Sequence, residues 1–246
     1  MRVTTSGTLG DSYIVTCKLL KLKDKIITIE HYTECKYWKK EIKDIYGLNP
    51  NVEVDFVDTI NDNLQYMHPH SKVENNIKQD MEYFPEFKNI NNINNKFNFK
   101  DYILIQANAG KPFDAPLSKG GTTNTKLFGK ELLDQIIDDN SNRLCVLVGT
   151  ENQYEGVGNC LNLVNKLTIL EAIYLAQNCD AYIGLEGLLS FVSLSNKNKT
   201  IIFFVPDHLQ AIDCRIINTP WEQYCEFFIL ENDCIRKATW DHTDEK

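Results

Sequence analysis

The chain has 246 residues, of which 43% are apolar and 24% are charged, and its formal net charge is −8. This composition is ordinary for a globular protein, so it excludes a chain that is disordered throughout. Because nucleic acids are bound by clustered lysines and arginines, the acidic balance argues against a nucleic-acid partner, although a local anion site stays open. No apolar stretch reaches 18 residues, so we expect no transmembrane segment, and only peripheral membrane contact is left open.

The cysteines and the N-terminus indicate a cytoplasmic protein. The eight cysteines are scattered, with no CxxC pair, and several lie in apolar runs such as RLCVLVG around Cys145. Such thiols are typical of buried side chains in a reducing compartment rather than of disulfides or zinc ligands. The first residues, MRVTTSGTLGDSYIV, lack the charged flank and apolar core of a signal peptide. The five histidines form no HExxH motif, and we expect no metal site.

The N-terminal part of the chain alternates between strand and helix. Two segments have apolar residues at helical spacing, whereas three others are β-branched or alternate between apolar and polar residues. In chain order the predicted elements are a strand (Met1–Thr5), a helix (Ser12–Lys23), a strand (Lys25–Glu30), a helix (Thr33–Tyr46) and a strand (Val52–Val57). This order is typical of a parallel sheet with helices on its faces.

An asparagine-rich stretch separates this part of the chain from the rest. The segment KNINNINNKFN, residues 88–98, is low in complexity and is typical of a surface loop or a linker. Domain boundaries fall in such segments. We therefore predict an N-terminal unit over residues 1–97 and a C-terminal unit over residues 98–246.

The alternation resumes in the C-terminal unit with more strongly apolar strands. The predicted strands are Tyr102–Gln106, Arg143–Val148, Asp180–Gly184, Thr200–Val205 and Glu226–Leu230. The predicted helices are Lys126–Asp139, Thr168–Asn178, Gly187–Asn196 and a terminal helix after the last strand. Because the strands are almost continuously apolar, we expect a sheet that is covered on both faces.

Candidate ligand-binding turns follow the carboxyl ends of strands, where open α/β sheets bind their ligands. The first turn combines Gly7, Thr8 and Gly10, whose glycines allow a tight backbone, with the carboxylate of Asp11. It matches neither a dinucleotide fingerprint nor a phosphate-binding loop. Asp11 is interpreted either as a cap of the first helix or as a carboxylate that acts as a general base.

Further candidates lie in the C-terminal unit. Lys126 stands at the predicted start of a helix and is either a solvated lysine or a phosphate ligand beside the helix N-terminus. Thr150 and Glu151 follow a strand, and Glu151 either caps the next segment or binds a ribose or a base. The turn after the predicted strand Asp180–Gly184 offers an acidic side chain and backbone amides, which fit either a helix cap or a bound diphosphate. Its residues are Glu186, Gly187, Leu188, Leu189 and Ser190.

Taken in order, these segments resemble the heptosyltransferase family, whose members are glycosyltransferases of the GT-B fold that act on lipopolysaccharide. The resemblance begins with RVTTSGTLGDSYIVTCKLLKLK, which contains the family's Leu-Gly-Asp turn, and with Lys126-Leu127-Phe128 before a predicted helix. It continues through RLCVLVGTE, LNLVNKLTILEAIYLAQNCDAYIG and LEGLLS, and it covers most of residues 1–31 and 100–206. In the last turn, Leu185-Glu186 replace the family's Asp-Thr, and Ser190 replaces its His.

The resemblance implies a compact α/β protein of the GT-B fold, in which two Rossmann-like domains face each other across a cleft. It implies a nucleotide-diphosphate sugar as donor on the C-terminal domain and a glycan or glycolipid acceptor on the N-terminal domain, with no metal and no cofactor. Asp11 would be the general base, and Lys126 and the amides at Glu186–Leu189 would bind the diphosphate. Two alternatives stay open: a sugar-nucleotide epimerase of the same fold, and a non-catalytic domain that binds sugar nucleotides.

Overall fold

The computed structural model describes residues 1–20, 22, 25–67, 96–109, 126–150, 159–204, 206, 212, 216–217, 221–231 and 234–238. Its strands are β1 (Arg2–Ser6), β2 (Ile27–Tyr32), β3 (Val52–Val57), β4 (Gln65–Tyr66), β5 (Tyr102–Gln106), β6 (Asn108–Ala109), β7 (Lys126–Leu127), β8 (Leu144–Val148), β9 (Cys160–Asn162), β10 (Ala181–Leu185), β11 (Lys199–Phe204), β12 (Cys225–Glu231) and β13 (Cys234–Lys237). Its α-helices are α1 (Leu9–Leu19), α2 (Lys39–Tyr46), α3 (Lys130–Asp139), α4 (Ile169–Asn178) and α5 (Leu188–Ser195). None of these described helices is long and apolar enough to cross a membrane.

The first sheet contains four parallel strands in the order β3-β2-β1-β4. Its buried side chains pack against α1 and α2 in a core that includes Val3, Val15, Leu19, Ile27, Ile29 and Ile42. The alternation of strands and helices that the sequence predicts for this part of the chain is confirmed. Both helices differ in their start: α1 begins at Leu9 rather than Ser12, and a 3-10 turn over Lys36–Trp38 precedes α2.

The second sheet contains seven strands in the order β13-β12-β11-β10-β5-β8-β9. All neighbouring strands are parallel except β12 and β13. The central strands β5, β8 and β10 are almost wholly buried and carry core clusters on both faces, as their apolar sequences predict. The segment Cys234–Lys237 does not form the predicted terminal helix but pairs with β12 and extends the sheet by an antiparallel strand, whereas residues 239–246 lie outside the described residues.

The two sheets are joined through a contact between α1 and α5. Gly10 permits this contact, because a Cβ there would lie 3.2 Å from Phe191 Cε2 and 3.4 Å from the amide nitrogen of Leu188. Tyr13 Oη and Ser195 Oγ form a buried hydrogen bond of 3.1 Å between the same helices. One hydrophobic cluster therefore contains side chains from both halves of the chain. The arrangement of these halves as two domains across a cleft stays a prediction.

The predicted linker is described only at its C-terminal end, since residues 88–95 lie outside the described part of the chain. Phe97 stacks on Tyr174 of α4 with ring centroids 6.2 Å apart, and Lys96 pairs with Glu171 of the same helix. Residues 96 and 97 therefore pack with the second sheet. The bounds 1–97 and 98–246 themselves stay predictions.

Candidate functional site

The strand order of the second sheet reverses direction between β5 and β10. From β5 the chain continues through β8 and β9 on one side, and then through β10, β11 and β12 on the other side. In open α/β sheets, ligands bind beyond the carboxyl ends of the strands at such a reversal. Asn108 follows β5 and Glu186 follows β10, so these two residues lie at the carboxyl ends of the strands where the order reverses.

The turn between β10 and α5 lies at the N-terminus of a helix. Glu186 is 4% exposed, and its amide donates to the carbonyl of Phe203 at 3.1 Å. Gly187 faces open space, because no atom of the described residues, apart from its chain neighbours, lies within 4 Å of the position of a Cβ there. Ser190 Oγ accepts a hydrogen bond from Gly187 N (3.1 Å) and donates one to Gly187 O (2.8 Å). Ser190 thus caps the turn, which is one of the two interpretations of this segment.

The N-termini of α5 and α1 meet. Leu188 and Leu189 begin α5 and are buried, at 8% and 5% exposure, and their amides belong to the first turn, whose N–H groups have no partner within the helix. The Leu188 amide nitrogen also lies beside Gly10 in the first turn of α1. The structure therefore brings together the turn predicted in the N-terminal unit and the turn predicted after β10.

The turn between β1 and α1 holds Asp11 against a glycine. Gly7 has a φ of +130°, and a Cβ there would lie 2.5 Å from both the Cβ and the Oδ2 atoms of Asp11. Thr8 is the N-cap of α1, and its backbone amide donates to Asp11 Oδ2 at 2.8 Å. Its hydroxyl donates to the same oxygen at 3.3 Å. A negative charge here is favourable, because it lies at the positive end of the helix dipole.

Asp11 therefore caps α1, although from the third helical position rather than from the N-cap itself. The sequence predicts Asp11 at or just before the first turn of the helix, and the structure differs because α1 begins earlier, at Leu9. The carboxylate is partly exposed and held in one orientation by the Thr8 amide. Its role as general base stays a prediction.

A buried histidine supports this turn from the side of the sheet, and sequence reasoning missed it. His31 in β2 is 0% exposed, its Nδ1 lies 2.9 Å from Tyr46 Oη, and its Nε2 lies 3.2 Å from the carbonyl of Gly7. Burial lowers the pKa of His31 and outweighs the Gly7 carbonyl and the Asp11 charge, which raise it. No sequence motif contains His31, and only its position next to the carboxyl end of β2 could have indicated a role in the site.

A second fixed turn follows β8. Thr150 N donates to Asn108 Oδ1 at 3.2 Å, and Asn108 Nδ2 donates to Thr150 Oγ1 at 3.4 Å. Gly149 has a φ of +146°, and a Cβ there would lie only 1.9 Å from Asn108 Oδ1. The predicted residue Thr150 is therefore held at the carboxyl edge of the second sheet, whereas Glu151 lies outside the described residues. Sequence reasoning missed Asn108, which is 2% exposed.

A buried tyrosine connects the neighbouring strands β5 and β10. Tyr182 Oη lies 2.7 Å from Gln106 Oε1 and 2.8 Å from the carbonyl of Leu185, so two acceptors surround one hydroxyl proton. Burial raises the pKa of Tyr182 well above its ordinary value, and the hydroxyl stays protonated. Gln106 Nε2 donates in turn to the carbonyl of Asn108 at 3.2 Å. This chain of hydrogen bonds fixes the ends of β5 and β10 relative to each other.

The prediction that Lys126 stands at the start of a helix is wrong. Lys126 and Leu127 form β7, which pairs with Asn108 and Ala109, and α3 begins only at Lys130. Lys126 and Leu127 form a strand because their main chain pairs with a distant segment of the chain. The pairing extends by one more hydrogen bond, from Phe128 N to Ala107 O at 2.8 Å. The helix therefore begins four residues after Lys126, and the assignment of Lys126 as a phosphate ligand stays a prediction.

A metal-binding group is not found among the described residues, where no three histidine, cysteine, aspartate or glutamate side chains come together. The predictions of no metal and no cofactor stay predictions.

Comparison with known proteins gives matches at the level of structure. The sequence matches no protein-family model and no curated protein. A glycosyl transferase family 9 protein from Veillonella parvula matches with a TM-score of 0.53 and 9% identity, over 93% of this chain and 86% of that chain. The E. coli heptosyltransferase WaaC, solved with ADP, matches with a TM-score of 0.54 and 12% identity, over 84% of this chain and 88% of that chain.

Such identities demonstrate a common fold rather than a common activity. The likeness extends over both sheets, since each match covers more than four fifths of both chains compared. It confirms the α/β fold that the sequence resemblance implies, whereas the two domains across a cleft stay a prediction. The chain has the α/β fold of the GT-B heptosyltransferases.

Proposed function

We propose that the protein is a glycosyltransferase that moves a sugar from a nucleotide-diphosphate sugar to a hydroxyl of a glycan or glycolipid acceptor. One observation carries the proposal: the Gly7–Asp11 turn and the N-terminus of α5 meet where α1 packs against α5. The fold supports it, because the structural neighbours are named as a glycosyl transferase and a heptosyltransferase, the latter with ADP.

In the proposed reaction, the acceptor oxygen attacks the anomeric carbon of the donor. A new carbon–oxygen bond forms to the acceptor, the bond from the anomeric carbon to the diphosphate oxygen breaks, and the nucleoside diphosphate leaves. Asp11 takes the proton of the acceptor hydroxyl as general base. The amides of Glu186 and Gly187 already donate to Phe203 O and Ser190 Oγ, so within the expected set Glu186–Leu189 the amides of Leu188 and Leu189 stabilise the leaving diphosphate, together with the positive end of the helix dipole.

Several finer features belong to the same proposal. The donor serves as a substrate, and the reaction needs neither a cofactor nor a metal, because the helix N-terminus supplies the positive potential. Thr150 and Glu151, which follow β8 in the sequence, contribute to binding of the donor. The protein acts in the cytoplasm, which agrees with the free thiols of the described cysteines.

The experiment combines donor binding with donor hydrolysis. Purified protein is screened by thermal shift against ADP-glucose, ADP-heptose, UDP-glucose and GDP-mannose, because a ligand at about 100 times its Kd stabilises by roughly 2.7 kcal/mol. Hydrolysis of the stabilising donor is then followed for the wild type and for Asp11→Asn. We expect Asp11→Asn to bind the donor normally and to lose roughly 10²–10⁴-fold in turnover.

The Asp11→Asn variant separates catalysis from capping, since an asparagine oxygen still accepts the hydrogen bond from Thr8 N. Turnover near the wild-type rate would remove Asp11 from the mechanism. A second candidate, a non-catalytic domain that binds sugar nucleotides, is favoured by Ser190, whose hydroxyl is occupied by the cap where the family has a histidine. It predicts a thermal shift with no hydrolysis and no transfer for any donor.

A further inference from the structure

His31 lies beneath the candidate base and has a defined hydrogen-bonding role. The carbonyl of Gly7 can only accept, so the Nε2 atom of His31 must carry the proton of the 3.2 Å hydrogen bond between them. In a neutral imidazole the Nδ1 atom is then bare, and it accepts the hydroxyl proton of Tyr46 at 2.9 Å. One tautomer therefore satisfies both bonds. The low pKa that burial imposes on His31 agrees with the neutral form.

The end of β2 holds the Gly7 residue on two sides. Gly7 N donates to the carbonyl of Tyr32 at 3.2 Å, while the carbonyl of Gly7 accepts from His31. The Cα atom of Gly7 lies directly against the Asp11 side chain, since any Cβ there would overlap the carboxylate. A shift of Gly7 therefore moves the surface on which Asp11 rests.

Two aromatic contacts fix the imidazole in turn. The ring packs edge-on against Tyr46, with centroids 5.6 Å apart, and against Phe56 of β3, with centroids 5.9 Å apart. His31 is 0% exposed, so it does not touch a substrate and acts only through its neighbours. Tyr46 is also buried, and both of these side chains experience the charge of Asp11.

We propose that His31 is a positioning residue, which fixes the Gly7 carbonyl through its Nε2–H group and thereby holds the Asp11 carboxylate in the orientation needed for proton transfer. This inference rests on the proposed function, in which Asp11 is the base. Small displacements of catalytic groups have large effects, and a shift of about 1 Å can cost roughly 10²-fold in rate. The effect falls on kcat, because the donor is bound at the start of α5.

Two amide substitutions provide a matched test. In His31→Gln the amide N–H reaches the position of Nε2 and can still donate to the Gly7 carbonyl, whereas in His31→Asn the shorter amide reaches only the position of Nδ1. Both variants lose the ring, and the asparagine also lacks one methylene group of the glutamine; His31→Phe, which keeps a ring without either hydrogen bond, controls for this difference in packing. We expect His31→Asn and His31→Phe to lower kcat for donor hydrolysis by roughly 10²-fold with little change in donor KM. His31→Gln should recover most of this loss.

Asp11→Asn, measured in the same assay, separates this inference from the proposed function. If Asp11→Asn turns over like the wild type, the base assignment fails and the inference fails with it. If Asp11→Asn loses turnover while His31→Asn and His31→Phe have the same kcat as His31→Gln, only the positioning role of His31 is overturned.

A measurement on the full chain without substrate tests the structural part. Nitrogen-15 NMR of the wild-type imidazole at neutral pH should show the neutral Nε2–H tautomer of His31. Exchange of the Thr8 amide, which reports its bond to Asp11, should accelerate in His31→Asn, while the amides of β5 stay protected. An Nδ1–H tautomer, or unchanged Thr8 exchange in His31→Asn, would overturn the proposal even without any turnover.

Discussion

Two glycines of the candidate site occupy positions where a side chain would collide with a functional group. Gly7 lies against Asp11 and Gly149 against Asn108, and both have positive φ angles of +130° and +146°. Residues other than glycine adopt such angles only at a cost in free energy. The two turns are therefore defined by backbone conformation as much as by the side chains that they present.

The contrast between Gly7 and Gly187 yields a matched pair of substitutions. Gly7→Ala should lower the free energy of unfolding by roughly 1–3 kcal/mol, because the positive φ is strained and the new methyl group displaces Asp11. Gly187→Ala should leave the free energy of unfolding nearly unchanged, since its Cβ would point into open space. If the space beside Gly187 holds the diphosphate, Gly187→Ala should weaken donor binding while leaving the free energy of unfolding nearly unchanged.

Urea unfolding and calorimetric titration with the stabilising donor measure the two effects separately. Equal stability losses in Gly7→Ala and Gly187→Ala would contradict the geometry of the turns. Unchanged donor affinity in Gly187→Ala would show that the diphosphate does not approach this residue.

At this scale, the sequence indicates the turn glycines but not the groups that hold them. The Gly7–Asp11 turn is recognisable because its residues are neighbours in the chain. His31 and Asn108 act through contacts with Gly7 and Thr150, which lie 24 and 42 positions away in sequence. Such partners are defined only once the strands are assembled, and no local pattern reports them.

At the scale of elements, local periodicity predicts the central strands and helices well and fails where distant segments pair. Leu127 and Phe128 continue the apolar pattern of α3, yet the main chain at Lys126–Leu127 pairs with β6. Phe128 buries its ring in the core beside Phe203, with centroids 4.9 Å apart, so its apolar character serves tertiary packing instead of a helix. Tertiary contacts of this kind override propensity, which is a weak determinant of structure.

The contact between α1 and α5 can be tested by a double-mutant cycle. Tyr13→Phe and Ser195→Ala each remove one partner of the 3.1 Å hydrogen bond that joins the two halves of the chain. We expect Tyr13→Phe to lower the free energy of unfolding by about 1 kcal/mol, because Ser195 Oγ keeps its other bond, to Val192 O at 2.7 Å. The double mutant should lose less than the sum of the single mutants, with a coupling energy of roughly 0.5–1.5 kcal/mol. Additive losses, measured by denaturant unfolding, would mean that the helices do not interact through this pair.

At the scale of the whole molecule, the hydrophobic core joins both halves. One cluster contains Tyr13, Ile14 and Cys17 of α1 together with Leu188 and Phe191 of α5, and all of these side chains are at most 8% exposed. A second cluster, on the opposite face of the second sheet, contains only residues of the C-terminal half. The first cluster couples the two sheets, so the free energy of unfolding of each sheet depends on the presence of the other sheet.

This coupling predicts that the protein unfolds in one cooperative transition, even though the sequence divides it into two units. Phe203→Ala is the sharpest probe, because Phe203 belongs to the second cluster and lies away from the contact between the halves. The substitution should cost about 3–5 kcal/mol, as for other buried phenylalanines. In a two-state molecule, hydrogen exchange should show the same loss in the free energy of unfolding at the amides of Ile29 in β2 and Leu104 in β5. If protection falls at Leu104 while Ile29 keeps its wild-type value, the halves unfold independently, and the 1–97 and 98–246 units are separate domains in the thermodynamic sense.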